Sequence, residues 1–404
     1  MNKNRLFVAS SLSLFACALA FGSRAGYLTR WMTEFGLSDT EMGWIAGIAL
    51  WGLTIAVFLF GLFVEVWGAG KVIAIMFISQ FVGTVLTIFA TGFWSLAFAT
   101  LLLGIANGCV NAACNPIVTS LYSNEKSGKL NLFHMWNAFG IAIGGLIVFF
   151  FDGFGIGWRY QMSLLLIPTV IYGFMFYKQV YPPTERVLSG GSYKDMIKSL
   201  TSPLFIFLAV VMVLTSGTEF GANQWIPALF EKAMASSGIL GDNDFGSILI
   251  LVWISLVMVF ARLVATPIVR VFTSVGVLFF SSIFVTVGIY LMSIVDGVGV
   301  FAASTIFAIG VAYFWPNMIG LVAERRPMTG ALGMAIIGGM GTLGGAIIQP
   351  VIGAVFDYEK TQHATEIAAG AATLQYLSII PVVLVVIFGV MFFTQKREKS
   401  PAAQ

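Results

Sequence analysis

Long apolar runs separated by short polar hinges dominate the chain from its first residues to its last. About 20 apolar residues cross the hydrocarbon core of a bilayer as a helix. On that measure the pattern predicts membrane helices over 6–30, 41–64, 71–91, 93–121, 129–151, 159–178, 203–229, 246–269, 272–294, 298–323, 328–356 and 371–394. These runs divide six and six around one longer polar connector, Gln179–Ser202, which holds Pro182-Pro183, Ser189-Gly190-Gly191 and the basic residues Arg186, Lys194 and Lys198. The expected fold is therefore an all-α membrane protein of twelve helices: an N-terminal six-helix bundle (1–178), a linker (179–202) and a C-terminal six-helix bundle (203–404).

Composition agrees with this pattern. Of 404 residues 58% are hydrophobic and 10% are charged, where soluble domains carry about 25% charged residues. No stretch reads as a separate soluble domain. Cys17, Cys109 and Cys114 all lie in apolar runs, which favours packing over a disulfide framework or a metal pair. Residues 1–21 have a signal-peptide character, with Lys3 and Arg5 before an apolar core, but eleven more runs follow. A first membrane helix or an uncleaved anchor is the better reading. Most of the 21 lysines and arginines, among them Lys3, Arg5, Lys71, Lys126, Arg270, Arg325 and Lys399, fall on one side of the predicted topology. The positive-inside rule then places both termini in the cytoplasm, as in a multi-pass protein of a bacterial-type inner (plasma) membrane.

Within the apolar runs, polar residues are patterned. Asn107, Asn111 and Asn115 recur every four residues, so a helix presents them on one face. Amides at that depth are expected to face a neighbouring helix or an aqueous cavity rather than lipid. Elements of this region return 200 positions later: Pro116 and Pro316, Leu121 and Leu321, Glu125-Lys126 and Arg325-Arg326, Gly144-Gly145 and Gly344-Gly345. A proline, a charged hinge and a glycine pair at the same spacing mark an internal repeat, as in transporters built from parallel halves.

The run Asn111-x-x-x-Asn115-Pro116, followed by Lys129-Leu130-Asn131-Leu132-x-His134-x-x-Asn137-x-x-Gly140, resembles the fucose/glucose-galactose:proton symporter branch of the major facilitator superfamily. That branch carries Glu-x-x-x-Asn-Pro and Arg-Leu-Asn-Leu-x-Gln-x-x-Asn. Gly344-Gly345-x-x-x-x-Pro350-x-x-Gly353 extends the likeness. Three positions depart from it: Asn111 replaces the acid, His134 replaces the glutamine, and the first-helix acid falls near Ala25 beside Arg24. The loop Gly61-x-x-x-Glu65-x-x-Gly68-x-x-Lys71 is similar to the superfamily's conserved loop between its second and third helices. The resemblance implies a cytoplasmic latch formed by Glu65, Gly68 and Lys71, with Arg262 in the counterpart segment of the second half.

Full charges inside the runs are few: Arg24, Glu219 and Arg262. Each costs at least about 2.5–3.5 kcal/mol at mid-membrane and so needs a reason. Glu219 lies in the first helix of the second half; aligning Trp225 with Trp31 sets it opposite Ala25, so it stands in for the missing acid. Glu219 and His134 are the candidates for proton coupling. Arg24 has three readings: it binds an anionic group of a substrate, pairs with Glu219 across the halves, or snorkels to the outer surface. Arg262 also reads as structural. Candidate substrate contacts are Asn111, Asn115, His134, Asn137, Asn223, Gln224, Trp225, Arg24, Tyr27 and Tyr313, with Asn317 and Gln349 behind them.

No nucleotide loop, catalytic constellation or metal cluster emerges, so neither an enzyme nor an ATP-driven pump is expected, and no cofactor, metal or nucleic acid is implied. The reading is a monomeric secondary active transporter working by alternating access. It moves a small polar solute, a sugar by resemblance, with proton symport. Three alternatives stand beside it: a carrier of organic anions or acidic sugars, a sodium-coupled sugar symporter, and a non-transporting membrane sensor.

Overall fold

A computed structural model describes residues 1–37, 39–236, 245–295 and 299–394. The first half contains α1 (Lys3–Phe35), α2 (Asp39–Trp67), α3 (Ala69–Ile88), α4 (Phe93–Leu121), α5 (Lys126–Gly153), α6 (Trp158–Leu164) and α7 (Leu166–Phe176). The connector forms α8 (Glu185–Leu188) and α9 (Tyr193–Leu200). The rest is α10 (Pro203–Ser236), α11 (Phe245–Leu263), α12 (Ala265–Met292), α13 (Gly299–Val311), α14 (Phe314–Arg325), α15 (Gly330–Gln362), α16 (Glu366–Leu377) and α17 (Ile379–Thr394). Among the described residues there is no strand.

Among the described residues, ten stretches of these helices are long and apolar enough to cross a membrane. The expected count of twelve differs for two reasons. The sixth run is split at Leu165 into α6 and α7, and α11 has an apolar described part only from Val252 to Leu263. Proline explains the breaks. It has no N–H to return to the carbonyl four residues earlier, and its ring crowds that carbonyl. Pro168, Pro267 and Pro381 lie four residues beyond Leu164, Leu263 and Leu377, where α6, α11 and α16 end. Pro316 likewise separates α13 from α14. Pro116, by contrast, is carried inside an unbroken α4.

Packing within each half repeats. A Cβ at Gly144 of α5 would meet the Leu19 carbonyl oxygen of α1 at 2.8 Å, and one at Gly344 of α15 would overlap the Val213 carbonyl oxygen of α10. The first-helix partners are offset by 213 − 19 = 194 residues. That is also the offset that aligns Trp225 with Trp31 and Glu219 with Ala25. Between the halves, α2 packs on α15 and α5 on α11. The structure is that of a two-bundle helical membrane protein, with polar residues held where the bundles meet.

Candidate functional site

The amide face of α4 is a ladder. Asn111 Nδ2 donates to the Asn107 carbonyl at 3.0 Å and to its Oδ1 at 3.2 Å; Asn115 Nδ2 donates to the Asn111 carbonyl at 2.9 Å. Burial deepens along it, from half-buried Asn107 to Asn115. Because Asn115 spends its N–H on α4, its Oδ1 is left as an acceptor. His134 Nε2 lies 3.0 Å from that oxygen, so the imidazole hydrogen sits on Nε2. Asn111, Asn115 and His134 are thus brought together. Asn137, one helical turn beyond His134, is half-buried.

Arg262 binds this wall to the second half. Its Nη1 donates to the His134 carbonyl at 2.8 Å, its Nε to the Ala312 carbonyl at 2.7 Å, and its Nη2 lies 3.9 Å from Glu219 Oε1. The Ala312 oxygen is available because Pro316 has no hydrogen to offer it. Glu219 is buried, and its Oε2 has no hydrogen-bond partner among the described residues. Tyr313 closes the group by donating its hydroxyl to the Ala261 carbonyl at 2.6 Å.

This arrangement changes several expectations. Arg262 belongs with His134 and Glu219, away from the Glu65 loop with which the resemblance grouped it. Glu219 finds Arg262 on the adjacent α11 and not Arg24. The Arg24 guanidinium is buried, lies 5.3 Å from the Phe21 ring centroid and has no ion pair or hydrogen bond among the described residues. Tyr27 is fully buried in a cluster with Trp31 and Trp158, so a solute reaches it only if that wall moves. Tyr313 directs its hydroxyl to backbone. The side chains of Asn223, Gln224, Trp225 and Gln349 lie outside the described residues.

A second polar cluster ties the halves at the end that carries the connector. The Glu65 side chain is buried. Its Oε2 accepts from Arg186 Nε at 2.8 Å and from Thr184 Oγ1 at 2.9 Å, and its Oε1 accepts from the Ala331 N–H at 2.6 Å. Ala331 lies in the first turn of α15, so a carboxylate of the first half caps a helix of the second, where the unpaired N–H groups and the dipole favour an anion. Gly68, at φ 83°, gives the turn between α2 and α3 a backbone that a side chain resists. Lys71 is exposed and takes no part in the cluster.

Nearby, Lys126 Nζ donates to Glu185 Oε2 at 2.9 Å and to the Ala323 carbonyl at 3.1 Å. Ser127 Oγ donates to Glu324 Oε1 at 2.6 Å, and Ser274 Oγ sits 2.8 Å from both Ser127 Oγ and Glu324 Oε2. Arg270 pairs with Glu125. A Cβ at Gly320 would overlap the Ser127 side chain, so α5 and α14 approach as closely as glycine allows. Sequence reading passed over Arg186, Ser127, Ser274 and Glu324. Their only signal was position, at or near the polar hinges and the connector between the apolar runs.

Two bundles thus meet at a polar seam, with few buried charges and a cluster of ion pairs at one end. The Major Facilitator Superfamily model matches residues 10–348, and the chain belongs to that superfamily. A D-xylose transporter of Levilactobacillus brevis is 26% identical over 139 residues, which are 34% of this chain and 30% of that protein. Only that share of the relative's length is matched. Among solved structures, the E. coli fucose:proton symporter superposes with a TM-score of 0.74 at 14% identity, covering 95% of this chain and 98% of that one. The human organic anion transporter MFSD10 does so with a TM-score of 0.75 at 14% identity, covering 96% and 100%.

Proposed function

We propose that this transporter is a secondary active carrier of a small hydroxyl-rich solute, a sugar, driven by proton symport through alternating access. Residues 1–178 and 203–404 act as the two moving bundles, 179–202 as their linker, and both termini lie in the cytoplasm of a bacterial-type inner (plasma) membrane. The observation that carries the reading is the Glu219–Arg262–His134 connection. A buried carboxyl group with one unpartnered oxygen faces a guanidinium that also holds the opposite half by its backbone. Proton binding at Glu219 removes the charge facing Arg262. The guanidinium is then held by the Ala312 and His134 carbonyls alone, so the balance of attraction between the bundles changes with protonation. Asn111, with its Oδ1 not drawn into the ladder, and half-buried Asn137 supply acceptors and donors for hydroxyl groups.

The likeness to the xylose transporter and to the fucose:proton symporter supports sugar as the cargo class. Uptake into proteoliposomes under an imposed pH gradient tests the proposal. Accumulation of a pentose or hexose that collapses when the gradient is dissipated is expected; accumulation that follows a sodium gradient and ignores pH counts against it. One observation favours a second reading. Arg24 is a buried cation with no carboxylate partner among the described residues, and an organic anion or acidic sugar would supply one. The likeness to MFSD10 is consistent with that cargo.

A further inference from the structure

A cavity of about 510 Å³ opens on the outer surface of the first half, away from the seam between the bundles. Ile73, Ala74 and Phe77 of α3 form one wall, and Val170, Gly173 and Phe174 of α7 form the other. Its volume falls within the range of about 300–1,000 Å³ typical of small-molecule sites, yet its surroundings are not those of an aqueous pocket. Ile78, Ile167, Ile171 and Phe174 are all exposed along the same two helices. In a membrane-spanning bundle, exposed aliphatic and aromatic groups at this density meet hydrocarbon. The groove therefore opens to the acyl-chain region of the bilayer.

One end of the groove is polar and of a single sign. The chain leaves α7 through Tyr177 and Lys178, and Lys178 holds the left-handed backbone at φ 55°, which is strained for a residue with a side chain. Its Nζ lies 5.2 Å from the centroid of the Tyr177 ring, and both residues line the groove. Arg5 reaches across from α1 and donates from Nε and Nη2 to the Met175 and Phe174 carbonyls, each at 2.8 Å, which ties down the last turn of α7. Lys71 is exposed and follows Gly70, which lines the groove, in sequence. From Val66 to Gly92 and from Phe154 to Thr184 the sequence has no aspartate or glutamate. The two acids that bracket this region, Glu65 and Glu185, are bound to Arg186 and Lys126. The rim is a cationic corner with no carboxylate paired to Lys178 or Lys71 among the described residues.

We propose that this groove is a binding site for an anionic phospholipid, with one acyl chain lying between α3 and α7 and the phosphate at Lys178 and Lys71. An apolar trough that opens laterally and ends in unpaired lysines matches the two parts of such a molecule. A water-soluble phosphate would not use the trough, and a neutral detergent tail would not use the lysines. Tyr181 gives the site a link to the connector. Its ring covers Gly70 and its hydroxyl donates to the Phe176 carbonyl at 3.1 Å, so a seated lipid rests against the segment that leads to the Glu65–Arg186 pair.

The test is native mass spectrometry of the purified full-length protein titrated with phosphatidylglycerol and, separately, with phosphatidylcholine of the same chains. The intact protein is expected to retain phosphatidylglycerol in preference to phosphatidylcholine. Lys178→Gln is expected to weaken phosphatidylglycerol retention about fivefold, the contribution of one basic residue at an anionic surface, and to leave phosphatidylcholine unchanged. Ala74→Trp, which fills the trough from an exposed position, should reduce retention of both. Ile167→Trp, exposed on α7 outside the groove, should alter neither. Equal retention of the two lipids by the unmodified protein, or retention indifferent to both Lys178→Gln and Ala74→Trp, would overturn the proposal. None of these readouts depends on which solute is carried.

Discussion

Arg262 Nε donates to the carbonyl oxygen of Ala312 at 2.7 Å, an oxygen that Pro316 leaves without its helical donor. The proline that breaks the tenth run thus creates the acceptor that anchors the arginine. The same guanidinium reaches the first half through His134, and Glu219 balances its charge. One imperfection in one helix organises the polar seam of the molecule.

Removing Arg262 should therefore cost more than a salt bridge at a surface. Arg262→Ala leaves Glu219 buried without its cation and is expected to destabilise the protein by about 3–5 kcal/mol. Adding Glu219→Gln should recover part of that loss, because the stranded charge is gone. Denaturation of the single and double variants in detergent measures the coupling. Strict additivity would mean that the 3.9 Å approach carries no energy.

Glu219→Gln alone separates coupling from translocation. The amide mimics the protonated acid, so pH-driven accumulation should disappear while counterflow exchange of solute continues. Parallel uptake and counterflow assays in proteoliposomes check this. Full accumulation by the variant would remove Glu219 as the proton carrier. His134→Gln, which restores the residue of the resembled branch and keeps a donor toward Asn115, should retain accumulation.

The amide ladder makes a graded prediction. Asn111→Leu should weaken solute binding and leave folding intact, since Asn111 Nδ2 bonds only to Asn107. Asn115→Leu should do both kinds of damage. It strands the His134 N–H, a buried donor whose loss of partner costs about 1–3 kcal/mol. Solute titration alongside thermal unfolding distinguishes the two variants. Equal unfolding temperatures would place His134 outside Asn115's support.

Glu65 is expected to hold the connector as well as the helix it caps. Glu65→Gln keeps an acceptor for the Ala331 N–H but loses the charge that binds Arg186. Arg186 should then become a faster site for trypsin in the folded protein. Unchanged cleavage kinetics would show that Gly191, whose carbonyl also accepts from Arg186 at 2.8 Å, suffices to fix it.

Arg24→Gln discriminates between the two cargo readings. If the guanidinium receives an anionic group, binding of sugar acids should fall at least about tenfold, the equivalent of one charge-assisted hydrogen bond, with neutral sugars spared. A thermal-shift screen with both ligand classes reads the difference. Parallel losses for both would assign Arg24 a structural role.

Much of the fold was legible because a bilayer imposes a coarse rule. Run length alone predicts the limits of α4, Phe93 and Leu121, and the glycine pairs at 144 and 344 mark the internal repeat whose packing on α1 and α10 the structure shows. The breaks at Leu164, Leu263 and Leu377 were equally available, since each precedes a proline by four residues, but an apolar average is blind to a missing hydrogen. Partnering was harder. Nothing in spacing says that Glu219 faces Arg262 instead of Arg24, because a choice between two buried cations depends on how neighbouring helices are rotated. The hydrogen-bonded cluster of Ser127, Ser274 and Glu324 was hidden for a related reason. Short hydroxyls and hinge acids are ordinary in loops, and only the approach of α5 to α14 gives them a common point.

The contact between Gly320 and Ser127 bears on ion leak. Where α5 and α14 touch through this glycine, the seam has no room for even a methyl group. In the proton-coupled carrier proposed above, such a stop would keep the driving ion from crossing without cargo. Replacing this one hydrogen with a methyl group would act as a doorstop. It would turn a tight valve into one that seeps.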